Sequence, residues 1–195
     1  MKNKLSKSII LTAALFFFIN NSISAHCDSV EGPVVKAAEE ALNSGNINHV
    51  LIWIPAENEN ELKELFQKVS GIRNINESVR EIADLYFYET VVRIHRMGEG
   101  VGYTGLKGKD FKPEEGIEAA DLAIRNNSVE EILSHVDESK HEKIKNYFSG
   151  LQSKKNFEVN NVAAGREYVS SYVHFIHYIE SLFTGKTNTH NHRVH

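Results

Sequence analysis

The chain contains a single cysteine, Cys27, and a histidine directly precedes it. A cut after Ala25 would make His26 the first residue of the mature chain. That terminus would offer an α-amine, an imidazole, a backbone amide nitrogen and a thiolate within two residues. Amine, amide and thiolate can close two adjacent chelate rings, and the imidazole adds a further ligand. Such a nitrogen and sulfur donor set suits nickel(II) or copper(II). A lone thiol in an oxidising compartment is buried, pairs between chains or binds a metal. His26 and Cys27 are therefore the first candidates for chemistry, and a metal site is the chemistry they suggest.

Other residues could complete such a site. Glu31 lies four residues after Cys27, and its carboxylate could act as a ligand. His95 falls near the end of an expected helix and is the preferred additional imidazole. His174, His177 and Glu180 recur at spacings of three, loosely on one helical face. Of these, His177 sits beside the apolar stripe, whereas His174 reads as exposed. Tyr103 could relay a proton or a hydrogen bond, and Arg96 or Lys107 could attract a small anion. The tail carries His190, His192 and His195, a loose metal trap or plain polar sequence.

These residues must be positioned by the rest of the chain. Residues 1–25 read as a signal peptide: Lys2, Lys4 and Lys7, an apolar run from Ile9 to Ile19, and small residues ending at Ala25. The run is short for a membrane span, so the expectation is a secreted or periplasmic protein with no stable membrane insertion after cleavage. A lipoprotein would need a small residue before Cys27, where His26 stands. Removing a segment with three lysines and no acids takes the formal charge from −4 to −7. That balance disfavours partnership with nucleic acid or anionic membranes.

The remaining length suits one domain with a real core. Residues 26–183 read as a single all-α domain, a helical bundle of four to six helices, followed by a polar tail over 184–195. Pro33 opens a first helix that ends at Ser44-Gly45-Asn46. The segment from Asn48 to Ile54 reads as a helical turn or a strand. Further helices are expected over 57–69, 76–97, 114–125, 129–136, 138–151 and 160–183. Ile82, Leu85, Tyr86, Val92 and His95 are expected near the inner side of the fourth of these elements. The glycines at 98, 100, 102, 105 and 108 fail both dinucleotide and phosphate-loop patterns, because no strand precedes them and Asp110 follows Lys109. They read as a loop that lets backbone pack closely around a site.

A mature chain opening His26-Cys27-Asp28 ahead of a helical bundle resembles nickel superoxide dismutase. The resemblance implies nickel held by the terminal amine, His26 and Cys27. It also implies a second thiolate at the position where this chain has Glu31. Gly32 and Pro33 stand in the opposite order to the family's hook. The missing thiolate brings copper and iron alongside nickel. The stretches 26–35, 93–100, 103–107, 120–121, 165–166 and 177–180 also resemble an uncharacterised secreted family of bacterial helical proteins, a likeness that brings no activity with it.

The expected function is an exported redox-metal protein with a site at the processed N-terminus, most concretely superoxide dismutase-like. His26 and Cys27 would hold a nickel, copper or iron ion, with Glu31, His95 or His177 completing its shell. Three alternatives stand beside it: a non-catalytic periplasmic metal carrier or sensor, a copper oxygenase with an N-terminal histidine brace, and a purely structural helical module. Assembly into a homo-oligomer is open and could supply ligands from a neighbouring copy.

Overall fold

The computed structural model describes residues 26–187, which form an all-α domain of eight α-helices. In chain order they are α1 (Pro33–Ser44), α2 (Asn48–Leu51), α3 (Glu59–Ile72), α4 (Glu77–Gly98), α5 (Glu115–Asn126), α6 (Glu130–His135), α7 (His141–Lys154) and α8 (Val162–Thr187). Two of these, α2 and α6, are short; the other six have at least 12 residues each. No strand occurs among the described residues, only an isolated bridge between Ser29 and Lys107. No helix among them is long and apolar enough to cross a membrane. The signal-like segment 1–25 and His190, His192 and His195 lie outside the described residues.

Local signals set the helix ends. Pro33 occupies the first turn of α1, where a missing N–H costs nothing, and Gly45 closes the helix in the left-handed region at φ 71°. The Asn76 side chain caps α4 by accepting from the Val79 amide at 2.9 Å. Asn127, at φ 52°, ends α5. The 48–54 segment forms the turn α2 and an irregular continuation, not a strand. Helix α3 runs through Gly71 to Ile72, and α8 runs on to Thr187.

Helix α4 packs on α1 and α3, while α8 packs on α5 and α7. Phe87, Ile94, Ile117, Ile144, Leu151, Phe175 and Ile179 are fully buried between these helices, each contributing about 2 kcal/mol of burial free energy. Trp53, just after α2, ties the two groups together. Its ring meets His95 of α4 and Tyr172 of α8 edge-on, at centroid distances of 5.9 and 5.7 Å. Arg166 of α8 donates to the Leu51 carbonyl and to Glu59.

One expected face is corrected. Ile82, Leu85 and Tyr86 of α4 are exposed, at 71%, 51% and 61%. The face that turns inward carries Ala83, Asp84, Phe87, Thr90, Val91, Ile94 and Arg96, together with the expected Val92 and His95. Two of its polar members are explained by partners. Arg73 grips Asp84 with two hydrogen bonds, at 2.8 and 2.7 Å, while also donating to the Leu42 carbonyl. The Thr90 hydroxyl bonds back to the Tyr86 carbonyl.

Candidate functional site

The N-terminal arm, residues 26–32, folds inward. It makes two tight turns, with Ser29 N–H on the His26 carbonyl and Gly32 N–H on the Ser29 carbonyl. A Cβ at position 32 would stand 2.2 Å from the His26 carbonyl oxygen, so only glycine fits there. The glycine-rich loop after α4 stitches the arm down. Lys107 N–H donates to the Asp28 carbonyl at 2.8 Å, and Val30 N–H donates to the Lys107 carbonyl at 3.0 Å. Gly100 and Gly105 supply the positive φ angles that turn this loop. Cys27, Asp28 and Ser29 are buried as a result.

The arm lands on a buried polar cluster drawn from α4, α5 and α8. Asp28 Oδ1 lies 3.3 Å from Arg96 Nε, and Arg96 Nη1 donates to Glu99 Oε2 at 2.9 Å. The other Glu99 oxygen approaches His95 Nε2 at 3.4 Å. On the far side of the His95 ring, Nδ1 bonds the Trp53 carbonyl at 2.8 Å, which assigns Nδ1 as the protonated donor. His26 Nε2 pairs with Asp121 Oδ2 at 2.8 Å, and the Tyr172 hydroxyl donates to Asp121 Oδ1 at 3.0 Å. Two buried imidazole nitrogens, His26 Nδ1 and His95 Nε2, have no hydrogen-bond partner among the described residues.

The electrostatics follow from this crowding. Burial pushes the Cys27 thiol well above its ordinary value, and the charge of Glu99 adds to the push while Arg96 opposes it. Burial also raises Asp28, against Arg96, Lys107 and His95. Tyr172 is held far above the usual phenol range by burial and then by Asp121. Asp28 and Glu99 share one guanidinium, Arg96, while Asp121 pairs with His26, so three carboxylates in the cluster meet a single permanent positive charge. The cluster is thus short of two positive charges before its imidazoles are considered. Such a deficit is costly in a low-dielectric setting unless protons or a cation offset it.

The sequence-predicted residues are distributed unevenly around this cluster. His26, Cys27, His95 and Arg96 are within it. His177 is half-buried on α8 and pairs with Glu180 at 2.9 Å, a bond that raises its proton affinity against burial; the charges of Glu99 and Arg96 also reach it. Tyr103 is half-buried in the loop and donates its hydroxyl to Glu89; burial and that bond hold the phenol well above its ordinary range. Glu31 points to solvent, with Lys36 at 4.0 Å. His174 is exposed and bonds the Ser170 carbonyl. The Lys107 ammonium bonds the Thr104 hydroxyl at the surface. Among the described residues, no three His, Cys, Asp or Glu side chains stand close enough together to hold one ion. Sequence reasoning missed Glu99, Asp121 and Tyr172. Glu99 alone left a usable signal, four residues after His95 on the same helical face.

A helical domain with a buried His, Cys and carboxylate cluster at its N-terminal arm is the class of molecule that these features define. The chain belongs to DUF6448, a family of unknown function, whose model matches residues 31–178. No curated protein and no solved structure matches the chain. The matched span takes in His95, Arg96, Glu99, Asp121, Tyr172 and His177.

Proposed function

We propose that this is an exported redox-metal protein whose site is assembled from His26 and Cys27 on the N-terminal arm, His95 of α4 and Glu99 at its C-terminal cap. One observation carries the reading: two imidazole nitrogens, His26 Nδ1 and His95 Nε2, are buried without hydrogen-bond partners in the cluster that surrounds the only cysteine. Buried polar atoms are normally satisfied, so such pairs call for a ligand. A divalent cation admitted by a shift of these side chains would give His26 Nδ1 a partner, replace the long Glu99 approach at His95 Nε2 and offset the excess negative charge. It would also draw the proton from Cys27, whose thiol burial otherwise keeps intact. Imidazole and thiolate together favour nickel, copper or iron over magnesium or calcium.

Loading such an ion requires the His26 ring to leave Asp121 or the Glu99 carboxylate to turn. A chain processed after Ala25 would bring its α-amine to the same place as an additional donor. Superoxide disproportionation is the reaction this reading assigns. One superoxide is oxidised to dioxygen, and a second takes that electron and two protons to become hydrogen peroxide. Arg96, buried between Asp28 and Glu99, acts here as a positioning residue that holds both carboxylates, not as an exposed anion guide. That burial favours a second reading, a metal carrier without turnover.

Titration of the metal-free protein with nickel(II), copper(II) and iron(II) tests the site through thiolate-to-metal charge-transfer absorbance. The band is expected for at least one ion. Cys27→Ser should abolish it, and His95→Ala should weaken binding by about tenfold or more. Superoxide turnover by the loaded protein separates the enzyme from the carrier. No band with any of the three ions would remove the metal reading.

A further inference from the structure

The apolar side chains that α3 and α4 leave in solvent are concentrated on one surface. Of seven large hydrophobic residues exposed among the described residues, six belong to this helical hairpin: Ile72, Ile75, Ile82, Leu85 and Tyr86 lie toward its turn, and Met97 lies at the far end of α4. A groove runs between its helices with an almost wholly apolar lining of about 350 Å³, including Leu65, Val69, Val79 and Ile82. The spacing is that of a seam. On α4, Val79, Ile82, Ala83 and Tyr86 recur at steps of three and four, as do Leu65, Lys68, Val69 and Ile72 on α3. Val69 and Ala83 at the base of this groove belong to the core, while Ile72, Ile82 and Tyr86 stand exposed along it.

We propose that this α3–α4 face is a homodimer interface, at which two copies pair around a two-fold axis into an intermolecular four-helix arrangement. Three observations select a second copy as the occupant. The five exposed side chains leave on the order of 600 Å² of apolar surface, at the top of the ~300–600 Å² range of a monomer's largest patch and approaching the ~800 Å² per partner of a standard interface. An isologous pairing lets the same patch cover itself, which a continuous stripe on two antiparallel helices can do. The flanking charges are mixed. Lys68 lies in the seam, with Glu64 and Glu81 exposed nearby, and none of the three makes an ion pair among the described residues. A two-fold axis brings such opposite charges from different copies together. The glutamates on the rim also make the face a poor match for an anionic membrane, which selects clusters of lysine and arginine.

Sedimentation equilibrium on the full chain, purified as its host processes it, tests the proposal. A dimer is expected at micromolar concentration. Ile82→Glu should raise the dimer dissociation constant by about a hundredfold or more, because it places a carboxylate in the apolar seam of both copies. Its circular dichroism should be unchanged, since Ile82 is largely exposed in the monomer. Tyr147→Gln, on α7 and outside the face, should leave the dimer intact. If Ile82→Glu loses helix content, Ile75→Glu in the turn between α3 and α4 serves as the second variant. A wild-type chain that stays monomeric, or a dimer that survives the variant at Ile82 or Ile75, would overturn the proposal. So would a face that binds lipid vesicles or another protein while the chain itself stays monomeric.

Discussion

Gly116 sits in the first turn of α5, where that helix crosses α8. A Cβ added there would stand 2.8 Å from the Glu180 Cα and 3.0 Å from the Phe183 Cβ. Two effects of Gly116→Ala oppose each other. Alanine removes the conformational freedom that glycine has in the unfolded chain, a gain of up to about 1 kcal/mol. The new methyl group must displace backbone, because Cα of Glu180 cannot swing aside as a side chain can. Overpacking of this kind costs about 1–3 kcal/mol. The clash should win, leaving the variant about 1–2 kcal/mol less stable. For a domain of this size that lowers Tm by about 2–8 °C. Gly150 provides the opposite case, since it lies inside α7 with nothing within 4 Å of an added Cβ. Gly150→Ala should raise Tm by about 2–4 °C. Thermal denaturation followed by circular dichroism reads both. If Gly116→Ala is as stabilising as Gly150→Ala, α5 and α8 do not cross this closely. The placement of Asp121 and Tyr172 beside His26 would then be wrong as well.

Other consequences can be measured in the same way. Arg73→Met should cost about 3–5 kcal/mol in urea denaturation by leaving Asp84 buried without its partner, and Arg73→Met with Asp84→Leu should recover most of that loss. Tyr88, Tyr103, Tyr168 and Tyr172 all have folded-state affinities for their proton above the ordinary value of 10.0, in each case chiefly through burial. A raised folded pKa means stability that is present below pH 10.0 and lost as pH rises through the folded value, which for Tyr88 is about 12. Stability should therefore fall steeply between those limits, and Tyr88→Phe should reduce the slope. Phenolate absorbance that develops fully at pH 10 with the helices intact would contradict this. Gly32→Ala should lower metal occupancy without replacing any ligand side chain, because its Cβ would displace the His26 backbone; occupancy equal to wild type would count against the arm geometry.

Much of the helical framework was legible because its punctuation is local. Pro33, Gly45 and Asn76 mark helix ends through backbone chemistry that does not depend on tertiary context. The inward face of α4 was not legible for the converse reason. This helix is apolar on two sides, and an apolar count prefers Ile82, Leu85 and Tyr86. The chain instead buries Asp84, because Arg73 is brought to it from the end of α3. The site shows the same division. His26, Cys27 and His95 stand out by residue type, and Arg96 by its place beside His95. Asp121 and Tyr172 gain meaning only when α5 and α8 are packed against the arm, through contacts between residues far apart in the chain. Glu31 read as a ligand from its position in the arm, yet the turn closed by Gly32 sends it outward to Lys36.

The most direct test of the central claim is the intact mass and metal content of the full-length gene product, purified from the compartment where its host places it. The expected result is a chain beginning at His26 that carries about one nickel, copper or iron ion, lost in Cys27→Ser while the helices remain. A folded chain that begins elsewhere, or one that begins at His26 and takes up none of these metals, would contradict it.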